Sequence, residues 1–285
     1  MTRDQLTLVA AQFDPHIFDT DYNVAKLEEL IQKAGEDCDL VVFPEAALTG
    51  YCFADVEETR RGAITRSGPE IRRLQELAAQ RNLSIVVGAV ERVGEKLYNT
   101  VFFLEPDGTL FSYYKSHLPY LGVDRFVEAG EEPCAVFNTR FGKIGMIVCY
   151  ELRFPEAARI AALGGARLML QPTNLPEGGE SHPDFLSRAR ACENRLYFVS
   201  SNRCGTERGF TFIGRSQIVD YNGNVLQETG AGEELITAQV DLSLAENKDI
   251  ISAPGERELY LLRDRRWDLY GPLSQKPDEA GYLLK

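Results

Sequence analysis

The sequence contains few of the residue patterns that mark metal, disulfide or nucleotide sites. It has only three histidines, His16, His117 and His182, and no HExxH motif or paired Cys/His spacing, so no metal site is expected. Its six cysteines are scattered over 285 residues without a CxxC pair, which argues against a disulfide framework. Neither a GxGxxG loop nor a Walker loop is present. The sequence therefore predicts no nucleotide cofactor.

Long apolar runs and clusters of basic residues are also absent. No run approaches the roughly 20 residues of a membrane span, and the apolar stretch before Gln12 is too short for a signal peptide. The 43 acidic residues outnumber the 31 basic ones, which gives a net charge of −12, and no basic stripe is available to bind nucleic acid. We therefore expect a cytoplasmic protein that has neither a membrane nor a nucleic acid as its partner.

The sequence does contain an alternation of helix and strand patterns that occurs twice. Helix patterns cover residues 22–38, 68–82, 155–166 and 183–195. Strand patterns cover residues 6–13, 39–45, 167–174 and 196–205. β-Rich hairpins follow in both halves, and the second, over residues 210–226, is predicted to turn at Asn222-Gly223. This order predicts an α/β protein of two related halves that share one core, with two packed sheets covered by helices.

Cys149 ends a strongly apolar run in the stretch "KIGMIVCYELRFPE". A cysteine in such a place is more often a small core residue than a reactive one. The alternative comes from the helix pattern that follows at once. A side chain on a strand-to-helix turn lies at the sheet edge, beside backbone N–H groups that favour a thiolate and a developing oxyanion. On that interpretation Cys149 is a nucleophile.

Two charged residues also follow strand-like runs. Glu45 is either a solvated loop residue or a carboxylate in an apolar cleft, where desolvation would raise its pKa and make it a usable base. Lys115 is either a snorkelling lysine or a charge that stabilises a carbonyl oxygen. A Cys–His enzyme is a further hypothesis and requires His117 or His182 beside Cys149. For His117 a structural role is the expected one.

Taken together, these positions carry a family resemblance. The stretches "FPEAALTGY", "YYKSHLP" and "GKIGMIVCYELRFPEAAR" resemble, in order and spacing, the nitrilase or carbon–nitrogen hydrolase superfamily. The resemblance covers essentially the whole chain. It implies a four-layer α-β-β-α sandwich of two pseudo-repeated halves in one domain, paired into a homodimer or higher homo-oligomer. Residues 1–265 would form the hydrolase domain, and residues 266–285 a C-terminal tail that either packs on a partner subunit or frays at the surface.

The resemblance also implies a mechanism that needs no metal or cofactor. Cys149 would be the nucleophile and Glu45 the general base. Lys115 and the backbone N–H of Tyr150 would stabilise the oxyanion.

The sequence departs from the family pattern at the second acidic residue of the cleft. The family commonly has a second glutamate in the cleft, between the lysine and the cysteine. The stretch "LPYLGVDRFVEAG" offers Asp124 near that place and Glu128 four residues later. The Arg-Phe that follows Asp124 resembles the family's flanking residues and favours Asp124, with Glu128 as the alternative.

Five residues are candidates for substrate binding by the same resemblance. Arg153 would hold a substrate carboxylate in its guanidinium fork, or else it is a surface arginine near a helix start. Tyr150 stands where nitrile hydrolysers typically have tryptophan. Tyr51, near Glu45, and Asn174 and Leu175, after the equivalent strand of the second half, are expected to line the pocket.

The stretch "CYELRFPE" resembles the amidase-like branches of the superfamily, which cleave amides of dicarboxylates or N-carbamoyl compounds. This resemblance implies hydrolysis of a small linear amide that carries a carboxylate, giving acid and ammonia through a thioester on Cys149. An N-carbamoyl amine or amino-acid hydrolase is the alternative, and a nitrile hydrolase is a further one. A non-catalytic binding relative would be expected to have lost part of the triad of Glu45, Lys115 and Cys149, whereas all three residues are present.

Overall fold

The computed structural model describes residues 4–275, which fall into two compact units, one that ends at Asn247 and one that begins at Lys248. Residues 276–285 of the predicted tail lie outside the described part of the chain. The α-helices of the first unit are α1 (Thr20–Ala34), α2 (Val56–Gly62), α3 (Pro69–Arg81), α4 (Pro155–Leu163) and α5 (Ser187–Asn194). Its strands are β1 (Gln5–Gln12), β2 (Leu40–Val42), β3 (Ser84–Val93), β4 (Lys96–Leu104), β5 (Leu110–Tyr114), β6 (Ala135–Thr139), β7 (Gly142–Met146), β8 (Leu168–Thr173), β9 (Tyr197–Asn202), β10 (Thr206–Glu207), β11 (Phe210–Thr211), β12 (Gln217–Val219), β13 (Val225–Glu228) and β14 (Glu234–Asp241).

Most of these strands build two six-stranded sheets within the described residues. The first has the order β14-β1-β2-β3-β4-β5 and the second the order β13-β12-β9-β8-β7-β6. In the first, β1, β2 and β3 are parallel and β4 and β5 antiparallel. In the second, β7, β8 and β9 are parallel and β12 and β13 antiparallel. The same strand pattern occurs twice, which confirms the two pseudo-repeated halves.

Alternating side chains along each strand divide the core into layers. Along β1, Leu8 and Ala10 pack in a cluster with Leu170 and other residues of the second sheet. Val9 and Ala11 point the other way, into a cluster with residues of α1 and α3. The outer face of the second sheet packs against α4 and α5. The first unit is therefore an α-β-β-α sandwich, as predicted.

Local sequence signals set the ends of the helices. The Asp19 carboxylate accepts a hydrogen bond from the Tyr22 N–H at 3.0 Å and caps α1. Pro69 occupies the first position of α3, and the helix ends at Asn82 in the left-handed conformation, with φ of 48°. Between residues 4 and 275, no helix combines the length and apolar character needed to cross a membrane.

The predicted hairpin over residues 210–226 is shorter than the sequence suggests. It forms between β12 and β13, so its first strand begins at Gln217 and not at Phe210. Phe210–Thr211 instead pairs with Thr206–Glu207 in a separate two-stranded sheet. Gly214 and Arg215 have positive φ angles of 64° and 59°, and this left-handed backbone interrupts the strand pattern.

The second unit contains a short antiparallel hairpin. Its strands are β15 (Asp249–Ala253) and β16 (Arg257–Tyr260). Gly255 lies in the turn with φ of 79°, where glycine is favoured. Two 3₁₀ turns follow, Trp267–Leu269 and Gly271–Ser274.

Candidate active site

Glu45, Lys115 and Cys149 each lie just beyond the end of a strand. Glu45 follows β2, Lys115 directly follows β5, and Cys149 follows β7. Two of these turns have left-handed backbones, with φ of 50° at Ala46 and 47° at Cys149. Non-glycine residues rarely adopt this conformation, and strained backbone of this kind clusters at functional sites.

The turn that carries Glu45 packs directly on the backbone of β3. A Cβ added to Gly88 would lie 2.4 Å from the Ala46 nitrogen and 2.7 Å from the Glu45 Cα. A larger residue at position 88 would push this turn away from the sheet. Gly88 therefore allows the close approach that positions Glu45.

A buried ammonium group joins two carboxylates at this edge of the sheet. Lys115 Nζ donates to Glu45 Oε1 at 2.8 Å and to Asp124 Oδ2 at 2.6 Å, and all three side chains are fully buried. Asn99, from β4, donates its side-chain amide to Glu45 Oε1 at 2.7 Å and to Asp124 Oδ1 at 2.9 Å. Burial alone would lower the pKa of Lys115, but the Asp124 and Glu45 carboxylates raise it well above its usual value. The lysine is therefore charged.

Asp124 and Glu128 lie in different environments. Asp124 is in the buried cluster, whereas Glu128 is exposed. The Tyr51 hydroxyl donates to Asp124 Oδ2 at 2.9 Å. Burial, together with the nearby Asp124 carboxylate, holds the pKa of the Tyr51 phenol well above its usual range, so this hydroxyl remains a donor. The structure thus places Asp124, and not Glu128, beside Lys115. Tyr51 contacts Asp124 and helps to hold its carboxylate in place.

The Cys149 thiol is buried and protonated. Burial, then the charge of Glu45, raises its pKa to about 12, against the opposing charge of Lys115. Its Sγ lies 3.9 Å from the Asn174 carbonyl oxygen. The Gln171 side-chain amide donates to the Cys149 carbonyl oxygen at 2.9 Å and so holds the turn in place. Loss of this proton would therefore require a nearby base.

Glu45 has the properties that such a base requires. Its Oε1 is occupied by Lys115 and Asn99, while its buried Oε2 has no hydrogen-bonding partner among the described residues. Burial raises the pKa of Glu45; the charge of Lys115 opposes this effect, and that of Asp124 adds to it. One oxygen is fixed and the other is available to take a proton.

The remaining predicted residues are spread around this cluster. Tyr150 is half-buried and meets Phe154 edge-on, with ring centroids 5.1 Å apart. Arg153 is exposed, and its Nη2 donates to the Ser181 hydroxyl at 3.3 Å. Asn174 is fully buried, and both polar atoms of its side chain are unpaired within the described chain. Leu175 is buried in the core between the sheets.

Neither candidate histidine is hydrogen-bonded to the thiol. The Nδ1 of His117 lies 2.9 Å from the Ser116 hydroxyl and 3.4 Å from Glu151 Oε1. His182 is buried, and its Nδ1 has no hydrogen-bonding partner among residues 4–275. Burial, followed by the charge of Arg153, lowers its pKa to about 4. The geometry does not assemble a Cys–His pair. In the part of the chain that the structure describes, no group of three His, Cys, Asp or Glu side chains is arranged to hold a metal ion.

Residues of the site that were not predicted from the sequence include Asn99, Gln171 and Glu151. Asn99 lies within an alternating strand pattern, and Gln171 lies within a buried strand. A polar residue on the buried face of a strand is the only signal that could have singled them out. Glu151 stands two residues after Cys149, and its burial cannot be read from a charged stretch.

The family of the protein follows from comparison with known proteins. A family model described as carbon-nitrogen hydrolase matches residues 7–248. The chain belongs to the carbon–nitrogen hydrolase family. The predicted family is thus confirmed, and the protein is an enzyme of that family.

This carbon–nitrogen hydrolase has relatives with different names. It is 36% identical over 266 residues to a nitrilase of Pyrococcus abyssi, covering 91% of this chain and 97% of the relative. It is 30% identical over 275 residues to an N-carbamoylputrescine amidase of Arabidopsis thaliana, covering 88% of this chain and 90% of the relative. A solved structure of a mutant amidase from Nesterenkonia sp. AN1 has a TM-score of 0.77 and 26% identity, covering 95% of this chain and 98% of that one. In that amidase the acetamide moiety of fluoroacetamide is covalently added to the active-site cysteine.

Proposed function

We propose that this carbon–nitrogen hydrolase cleaves a small linear amide that carries a carboxylate, giving acid and ammonia. The observation that carries the proposal is the buried Lys115 between Glu45 and Asp124. The charges of Lys115 and Glu45 act on the Cys149 thiol, which lies on a left-handed turn. The covalent addition seen at the active-site cysteine of the Nesterenkonia amidase supports an attack by sulfur.

In the acylation step, Cys149 Sγ attacks the amide carbon while Glu45 Oε2 takes the thiol proton. An ammonium has three donors, and Lys115 uses two of them on carboxylates. The third, with the Tyr150 N–H, would stabilise the oxyanion. The C–N bond then breaks, the leaving nitrogen takes the proton from Glu45, and ammonia departs.

In the deacylation step, a water molecule gives a proton to Glu45 and attacks the thioester carbon. The C–S bond breaks, the acid is released, and the sulfur regains its proton. Glu45 is thus the base in both steps, which requires it to be a carboxylate at the start of each.

Activity should consequently fall with decreasing pH through the pKa of Glu45. Because burial raises that pKa above the ordinary value of 4.5, the acid limb of kcat/KM should lie above pH 4.5. Cys149 reacts as a thiol and adds no requirement for deprotonation at neutral pH. The profile should be measured with a neutral amide, so that the substrate does not titrate. An acid limb at or below the ordinary glutamate range would contradict the role given to Glu45.

An N-carbamoyl substrate is the alternative, supported by the name of the Arabidopsis relative. The same attack on a ureido carbon would release an amine, carbon dioxide and ammonia. A nitrile is a further alternative, supported by the name of the Pyrococcus relative. Tyr150, where nitrile hydrolysers typically have tryptophan, argues against it.

A product screen across amides, N-carbamoyl compounds and nitriles separates these substrates. We expect ammonia without carbon dioxide, and faster turnover of amides with a distal carboxylate than of neutral amides of equal length. Arg153→Gln should raise KM for the carboxylate amide about tenfold through loss of a charge-assisted contact, and leave KM for the neutral amide unchanged. Equal effects on both substrates would remove Arg153 from substrate recognition, and carbon dioxide release would favour the N-carbamoyl alternative.

We also predict that two copies of the chain pair. Residues 266–285 are predicted to lie beyond the hydrolase domain and to contact the partner subunit. Trp267 is 80% exposed, Leu269 60% and Leu273 63%. A partner subunit on this segment would cover that apolar surface.

A further inference from the structure

Glu151 is a buried carboxylate that the proposed chemistry does not use. It lies two residues after the nucleophile and has no exposed surface. Burying a charge is unfavourable unless hydrogen bonds compensate for the lost water. The donors around Glu151 therefore indicate what this charge is for.

The two oxygens of Glu151 bind different segments of the chain. Oε2 accepts from the Val148 N–H at 2.7 Å, on the turn that carries Cys149. Oε1 accepts from the Ser116 N–H and hydroxyl, each at 2.8 Å, and from the Tyr113 hydroxyl at 2.8 Å. Ser116 directly follows Lys115, so one carboxylate joins the backbone beside the nucleophile to the backbone beside the lysine.

A second contact joins the same two segments through His117. Its N–H donates to Glu151 Oε1 at 3.2 Å, and its ring stacks on Phe154 with centroids 4.3 Å apart. Phe154 in turn meets Tyr150, whose N–H is the proposed oxyanion donor. Burial would raise the pKa of Glu151, but hydrogen bonds from His117, Val148, Tyr113 and Ser116 lower it below its usual value.

We propose that Glu151 is a positioning residue that fixes the distance between Lys115 and Cys149. It acts through the backbones of residues 116–117 and 148 and touches no reacting atom. This inference rests on the proposed function, in which Lys115 and the Tyr150 N–H must meet the same oxyanion. Positional errors of about 1 Å in such an arrangement can cost about 100-fold in rate.

Glutamine cannot reproduce this arrangement, although it has the same shape as glutamate. It offers one acceptor oxygen and one NH₂ group. If the NH₂ faces Val148, a donor meets a donor on the nucleophile turn. If it faces Ser116 and Tyr113, the donors beside Lys115 lose their acceptor. Glu151→Gln therefore disconnects one segment whichever way the amide turns.

The test is amide hydrolysis by Glu151→Gln across pH. We expect kcat to fall about 100-fold, with a much smaller change in KM. The acid limb of kcat/KM should also move to higher pH. The reason is that the charge of Lys115 lowers the pKa of Glu45, and a less firmly held lysine would lower it less.

Glu105→Gln is the matched control. Glu105 is also buried, and it accepts from the Ser84 hydroxyl at 2.6 Å and the Arg140 N–H at 3.0 Å. Ser84 begins β3, so this carboxylate lies at the opposite end of the parallel strands from Glu45. Its replacement should leave the acid limb in place. An unchanged limb and kcat in Glu151→Gln, or equal changes in both variants, would overturn the proposal.

If Glu151→Gln does not fold, Tyr113→Phe provides the second variant. It removes one donor to Glu151 and should lower kcat about two- to tenfold. The acid limb of kcat/KM should again move to higher pH, by less than in Glu151→Gln. An unchanged profile in this variant would equally overturn the proposal. The wild-type enzyme separates the two hypotheses: if it acylates Cys149 while the Glu151 variants behave normally, the positioning role fails and the proposed function stands.

Discussion

Cys149→Ala should abolish amide hydrolysis. We expect kcat to fall by at least about 10⁴-fold, because removal of the nucleophile leaves only binding and oxyanion stabilisation to act on the substrate. The fold should persist, since alanine occupies less space than cysteine and the turn is held by Gln171 through the backbone. Steady-state ammonia release and thermal unfolding measure the two effects.

Cys38→Ala is the control for this variant. Cys38 is also buried, and burial raises its pKa to about 12, as for Cys149. It packs in the layer between the first sheet and its helices, away from the cluster around Lys115. It should retain full turnover. Activity that survives in Cys149→Ala would exclude a thioester on Cys149.

Lys115→Met should have the second-largest effect, and it should act on both stability and activity. Methionine fills a similar volume but leaves Glu45 and Asp124 buried without their shared cation. Removing one partner of a buried ion pair costs about 3–5 kcal/mol in the free energy of unfolding. Loss of an oxyanion donor costs about 10²–10³-fold in kcat. Denaturant titration and ammonia release measure the two quantities.

The double variant Lys115→Met/Asp124→Asn separates these two effects. It removes one uncompensated carboxylate, so it should recover part of the lost stability. It restores no cation beside the substrate oxygen, so turnover should stay low. Recovery of turnover together with stability would contradict an electrostatic role for Lys115 and make its contribution purely structural.

The parts of the fold that follow from local pattern were predictable. The β1 strand, α1 and α3 have the apolar spacing of their elements, and the two-fold repetition indicated the paired halves. The strand β14 was not predicted. It completes the first sheet by pairing with β1 in an antiparallel register that joins Gln5 to Asp241. A pairing over that separation is set by the tertiary fold.

The residues of the candidate site also divide into those that the sequence indicates and those that it does not. Glu45, Lys115 and Cys149 stand out because charged or reactive residues end apolar runs. Asn99 and Glu151 do not, because their importance comes from residues distant in sequence that the fold brings to them. Glu151, for instance, meets Ser116 from 35 positions away. Sequence patterns can indicate which residues are candidates for the reaction, whereas only the folded structure shows which residues contact them.

The central claim is a thioester on Cys149, and intact mass during turnover tests it most directly. The enzyme should be mixed with the best amide from the product screen, quenched in acid within the first turnovers, and digested for peptide mapping. We predict a protein heavier by the mass of the amide less that of ammonia, with the added group on the peptide that contains Cys149. Unmodified Cys149 under conditions in which the acyl-enzyme should accumulate, or an acyl group on another residue, would contradict the account.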